Sequence, residues 1–267
     1  MQDHPRDNAP PSSAAARRSE SGGALWFILM AIALLVALTL TITRSTDNAQ
    51  QNGTRERDRI LASAILRQAK GMAAIVEQAR GNNVPENNIS FENTSVTGYT
   101  TVFSPSSTSS TVPYGLFYSS GGGITYSAPD SEWLDSSHAT EPSPKYGEWY
   151  FYGTTCIPGV GTGIDASTCA ASSSTSELIV SIPWITASLC AEINRQAGVT
   201  NLTNPIRPPV ATTDAYGTPT KFVGAFSTGG ILSSAGGEFN GKQAGCFEGG
   251  ASSPDGGYHF YQVLIPR

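Results

Sequence analysis

Cys156, Cys169, Cys190 and Cys246 are the residues of this chain whose type most invites covalent chemistry. None stands in a Cys-x-x-Cys pair. Only His4, His138 and His259 are available as nitrogen ligands, so no zinc site is supported and no metal is expected. Four cysteines allow three disulfide pairings, and the alternative is four buried free thiols. Two disulfides formed in an oxidising compartment are the expectation. The pairing expected is Cys156 with Cys169, closing a glycine-rich loop, and Cys190 with Cys246.

Other chemistry finds little support. The run Gly159-Val-Gly-Thr-Gly163 lacks the Lys-Ser/Thr of a phosphate loop and the full dinucleotide spacing, and it reads as a flexible loop. No GxSxG, HExxH or calcium-loop pattern occurs. His259, in Tyr258-His-Phe-Tyr261, is read as a strand residue facing solvent or an aromatic neighbour, with no partner that would make it a base. Asp130, Glu132 and Asp135 are read as a solvated acidic loop rather than a calcium site. Trp133, Trp149, Tyr150 and Tyr152 either line a ligand groove or pack in the core, and core packing is the more ordinary outcome. Asn52, Asn88, Asn93 and Asn201 begin N-glycosylation patterns, which matter only in a host with that machinery. No catalytic residue and no cofactor are expected, and the chain is not read as an enzyme.

Charge is unevenly spread. Residues 44–80 carry seven Lys or Arg against four Asp or Glu, whereas the residues after Arg80 carry six against fourteen. An acidic C-terminal part argues against a nucleic-acid partner.

These residues need elements to position them. Residues 24–42 are uncharged and free of proline. Nineteen residues at 1.5 Å each give roughly 28 Å, near the thickness of a bilayer's hydrocarbon core, so a transmembrane helix is expected at 24–43. The apolar run exceeds a secretory signal's usual core, and no good small-residue cleavage site follows it. Leu61, Ile65, Ala69, Met72, Val76 and Ala79 recur at spacings of four and three, which predicts an amphipathic continuation over 44–81, weakened at Gly53 and stopped by Gly81-Asn82-Asn83. From residue 82 to 267 short β-like runs alternate with Ser/Gly/Pro loops such as 104–111. Strands are expected at 99–103, 114–118, 124–126, 148–152, 178–182, 221–226 and 258–265, with one later helix at 184–196 opened by Pro183. Residues 1–23 form a polar leader. The fold class is therefore α+β: a long N-terminal helix, transmembrane then amphipathic, packed on a β-rich, disulfide-bearing head. The cysteines and the Ser/Thr/Gly-rich composition place the head on the periplasmic or extracellular side of an inner membrane crossed once.

A leader ending in Gly22-Gly23, an uncharged helix running into an amphipathic half, and a β-rich head with disulfides together resemble the type IV pilins and type II secretion pseudopilins. The ending Gly241-Lys-Gln-Ala-Gly-Cys-Phe247 with Tyr258-His-Phe-Tyr-Gln-Val-Leu-Ile265 is similar to proteobacterial pilin-like proteins. The resemblance implies processing between Gly23 and Ala24, and a Cys190–Cys246 bridge like the one that brackets the C-terminal region of many pilins. It implies assembly with other pilin-like subunits through Ala24, Leu25, Trp26, Phe27 and Ile28, with Ala31, Ala33 and Ala37 allowing close helix approach. Major pilins carry Glu at the fifth mature position, where this chain has Ile28, so a minor or tip subunit is implied. The alternative is an anchored binding or adhesin-like module whose head takes a surface ligand.

Overall fold

Helical periodicity in the N-terminal third becomes one continuous helix, α1 (Ser21–Gly81). The computed structural model describes residues 21–99, 114–141, 146–171, 173–203, 206–216, 220–227, 229–250 and 256–267, with side chains described for these except 21–24, 40–52 and 170–171. The leader up to residue 20, the loop at 104–111, the expected strand beyond Tyr99 and the Asn52 side chain lie outside the described residues. The chain divides into two compact units, Met1–Gly53 and Thr54–Arg267.

The transmembrane helix is corrected. Among the described residues no helix is long and apolar enough to cross a membrane. α1 is long, but it is not apolar throughout. From Arg44 onward the same helix is rich in charged residues. The expected long apolar helix, the single membrane crossing and the inner-membrane location are overturned on that ground.

In the second unit α1 is held by one face. Ala62, Ile65, Leu66, Ala69, Met72 and Val76 are buried in a cluster with Phe151, Val180, Ile182 and Phe260 of the sheet. Burying each larger aliphatic side chain contributes roughly 1.5–3 kcal/mol, so packing, more than helix propensity, fixes this half of α1. The helix stops as Asn83 takes a left-handed φ of 60°, and the Val84 N–H returns to the Ala79 carbonyl at 3.0 Å. That is the αL closure the Gly-Asn-Asn sequence invites.

The sheet has five strands: β3 (Tyr150–Cys156), β4 (Glu177–Ile185), β7 (Gly230–Ile231), β8 (Ala244–Glu248) and β9 (Tyr258–Ile265), in the order β7-β3-β4-β9-β8. All pairs are antiparallel except β3 with β7. Two small pairs lie outside it, β1 (Ile89–Ser90) with β2 (Tyr114–Gly115) and β5 (Leu202–Thr203) with β6 (Ile206–Arg207). Among the described residues the further α-helices are α2 (Ala166–Ala171) and α3 (Ala187–Ala197).

Alternation along the strands builds two cores. Phe151, Leu178, Val180, Ile182, Cys246 and Phe260 share a cluster with α1 and α3. Tyr150, Tyr152, Ile179, Phe247, Tyr261 and Val263 share another with Val199, Ala211, Tyr216, Leu232 and Phe239 from the loop-rich segment before β8. Both faces are covered, which is why β4 is buried along its whole length.

The expected helix at 184–196 begins later. Pro183 and Trp184 belong to β4, at a register shift between Ile182 and Ile185, where a ladder bond is dispensable and proline is tolerated. α3 starts after Thr186 and ends at Gly198, whose φ is 73°. Residues 124–126 and 221–226 are not strands, and β8 lies outside every expected strand.

Candidate functional site

The expected assembly residues lie on α1. Leu25, Trp26, Phe27 and Ile28 are 65, 62, 69 and 57 % exposed, and Leu29 to Leu38 continue the same character. Ala31, Ala33 and Ala37 are exposed, with Ala33 and Ala37 four residues apart on one face. The Thr39 hydroxyl donates to the Leu35 carbonyl at 2.7 Å, so its polarity is spent within the helix. The run is thus apolar on every side. A helix hydrophobic all round is ordinarily a buried one, and this stretch finds no cover among the described residues. Gly23 and Ala24 fall in the first turn of α1, and their side chains lie outside the described residues.

Both disulfides form, Cys156–Cys169 and Cys190–Cys246, each with Cα atoms 5.3 Å apart. The first closes the glycine-rich loop. A Cβ on Gly163 would stand 2.5 Å from the Cys156 sulfur and 3.0 Å from that of Cys169, so the loop's glycine there is a packing requirement. The second joins α3 to β8, and beside it Asn194 does the work of a neighbouring strand. Its Oδ1 accepts the Cys246 N–H at 2.7 Å, and its Nδ2 donates to the Cys246 carbonyl at 2.8 Å. Nδ2 also reaches Asn201 Oδ1 at 2.9 Å. Asn194 is fully buried.

On the loop-covered face of the sheet lies a sealed polar group. Ser181 and Tyr216 share a hydroxyl–hydroxyl hydrogen bond, and the Tyr216 hydroxyl stands 3.5 Å from His259 Nδ1. His259 faces aromatic neighbours and not solvent: it stacks on Phe247 at 5.2 Å and meets the Trp184 ring edge-on at 4.6 Å. Burial, with a smaller contribution from His138, pushes its pKa down to about 3, which keeps the imidazole neutral. Its Nε2 has no hydrogen-bond partner among the described residues. On the same face Glu177 is fully buried. One of its oxygens accepts the Ile157 N–H at 2.9 Å and the other has no partner among the described residues. Burial raises its pKa to about 8, against the lowering effect of hydrogen bonds and of Arg267.

The remaining candidates are absorbed by structure. Asp130 and Asp135 accept backbone N–H groups at the starts of short 3₁₀ turns, and Glu132 pairs with Arg57 at 2.9 Å. Among the described residues no group of His, Cys, Asp and Glu could hold a metal. Gly159 and Gly161 form a turn inside the first disulfide loop, with φ of 78° and 61°. Trp133 and Trp149 are buried on the helix side of the sheet, Tyr150 and Tyr152 on the other, so the four do not line one groove. Asn93 caps the N–H groups of Ser95 and Val96, and Asn201 bonds the Ala191 carbonyl. Sequence reasoning missed Asn194 and Glu177. For Asn194 a signal existed: it follows Cys190 by four residues, on the stripe that α3 buries.

Set against known proteins, the chain matches no family model, no curated protein and no solved structure.

Proposed function

We propose that this chain is a non-enzymatic structural subunit of pilin-like kind, which assembles with other subunits through the first part of α1. The observation that carries the reading is the run 25–39, apolar on all sides and exposed. In water such a surface calls for cover from outside the chain. The second unit supports the reading by its build: two disulfides and a two-sided core make a rigid body suited to display. The Ser181, Tyr216 and His259 side chains, the best-assembled polar set, are sealed within it, which favours a structural role for them.

Leu35→Arg tests the assembly. Leu35 is 63 % exposed and lies in the middle of the run. A guanidinium there meets apolar neighbours in any helix-to-helix contact, and desolvating it costs several kcal/mol. Sedimentation velocity is expected to show association of the full chain weakened at least tenfold, with the melting transition of the second unit unchanged. A wild-type chain that stays monomeric at high concentration, or a variant that associates as well as wild type, would sink the proposal. Its pilin-like character is tested separately by the mature N-terminus, expected at Ala24; an intact Met1 on the assembled protein counts against it.

A further inference from the structure

A groove of about 420 Å³ lies between α1 and the segment 117–127. Gln68, Gly71 and Ile75 form its helix wall, Phe117, Ile124 and Tyr126 the facing one, and Trp149 its floor. A second recess of about 320 Å³ shares the wall of Phe117, Ile124, Thr125 and Tyr126 and carries Thr94, Ser95 and Ser119 on its other side. Among the described residues no charged side chain lines either.

We propose that these adjoining recesses bind a neutral amphiphile, with an alkyl chain in the groove beside α1 and an uncharged, hydroxylated head in the recess lined by Thr94, Ser95 and Ser119. This goes beyond the assembly reading and does not depend on it. Three observations select the ligand. The absence of charge disfavours an ionic one, because desolvating an ion without a partner is costly. Three polar groups at the groove already bond within the chain: Trp149 Nε1 donates to the Ser127 carbonyl at 2.9 Å, Gln68 Nε2 donates to the same oxygen at 3.4 Å, and the Tyr126 hydroxyl accepts the backbone N–H of Trp149 at 3.4 Å. What the groove offers an occupant is therefore apolar surface. The adjoining recess differs, because its exposed hydroxyls can exchange water for a sugar-like head.

Gly71 supplies the third observation. Glycine inside a helix costs about 1 kcal/mol relative to alanine. A Cβ at Gly71 would meet nothing within 4 Å among the described residues, so no contact with them requires it. Its effect is to leave helix backbone open to the groove, as close approach of a ligand demands. The volume falls within the roughly 300–1,000 Å³ of small-ligand sites.

Equilibrium dialysis of the full chain with an alkyl glucoside, kept below its micellar concentration, tests the site. Wild type is expected to show a saturable component of one molecule per chain. Gly71→Leu, which fills the groove, is expected to weaken that component at least tenfold. Gly71→Ala, which adds a single methyl to the same wall, is expected to weaken it by less than Gly71→Leu does, and an unchanged melting transition shows that each variant folds. Non-saturable uptake by the exposed run 25–39 is unaffected by either change, so the two sources separate. Free glucose is expected not to bind, and a fatty alcohol of equal chain length to bind more weakly than the glucoside. The proposal is overturned if uptake never saturates, if Gly71→Leu binds as wild type does, or if an anionic amphiphile of equal length binds better than the neutral one.

Discussion

Glu177→Gln is expected to gain stability over the wild-type chain by about 1.4 kcal/mol for each pH unit between about 4.5 and about 8. The sign follows from where the proton sits. In the folded protein burial holds the Glu177 carboxyl protonated up to about 8, whereas the unfolded chain releases that proton near 4.5. Between those values the folded state binds more protons, so raising the pH favours unfolding. The contribution is fully present below about 4.5 and lost as the pH rises through about 8. Across the window it amounts to roughly 5 kcal/mol, a large share of a typical domain's 5–15 kcal/mol. Glutamine keeps a carbonyl oxygen for the Ile157 N–H and carries no titrating proton. Urea denaturation of both proteins at pH 5, 7 and 9 measures the difference, in which groups common to both cancel. Parallel profiles would rule out a buried, protonated Glu177.

His259 bends the wild-type profile the other way. Its folded pKa lies near 3 and its unfolded value near 6.5. The unfolded chain therefore binds the extra proton between those values, and stability falls as the pH drops below about 6.5. From about 4.5 to 6.5 the two slopes oppose each other and nearly cancel. Wild type should show a plateau there, with losses on both sides. Glu177→Gln should lose the alkaline descent and keep the acid one.

The parts legible in the sequence are those whose periodicity is local. Leu61 to Ala79 announced a buried helical stripe because residues three and four apart share a face. β9 and the middle of β4 announced themselves as apolar runs because both faces of the sheet are covered. β8 escaped notice because Ala-Gly-Cys-Phe-Glu has little intrinsic strand preference; pairing with β9 and the Cys190–Cys246 bridge hold it in place. Pro183 looked like the first turn of a helix. Tertiary pairing instead carries β4 through it, with Trp184 held at a left-handed φ of 62° in the irregular stretch. The candidate site divides in the same way. The apolarity of 25–39 is plain from composition, but a membrane crossing does not follow from it, because the same helix turns charged from Arg44 onward. Glu177 and Asn194 matter through partners 20 and 52 residues away, and no local pattern encodes such contacts.

Asn194→Ala is expected to cost roughly 2–5 kcal/mol, because it leaves two buried backbone groups of one residue without partners. The Cys246 N–H and C=O point away from β9's ladder toward α3, where a sheet would place its next strand. Asn194 presents an acceptor and a donor with the same spacing as a peptide group, at 2.7 and 2.8 Å, and so ends the sheet inside the protein. Alanine removes both partners and admits no water to a fully buried position. The fold should survive the change, because the Cys190–Cys246 bridge persists in the unfolded chain and limits its entropy by roughly 4 kcal/mol. The loss is then readable as a shift in the denaturation midpoint. Asn194→Asp separates hydrogen bonding from packing. Its carboxylate still accepts the Cys246 N–H but sets an oxygen against the Cys246 carbonyl, so at neutral pH it should be at least as damaging as alanine. As the pH falls the carboxyl takes up a proton, and the new O–H donates where Nδ2 did. Measured against wild type at each pH, Asn194→Asp should recover toward acid while Asn194→Ala does not. An alanine variant within about 0.5 kcal/mol of wild type, the range of ordinary surface changes, would show that Cys246 finds other partners and that the disulfide alone holds α3 to the sheet.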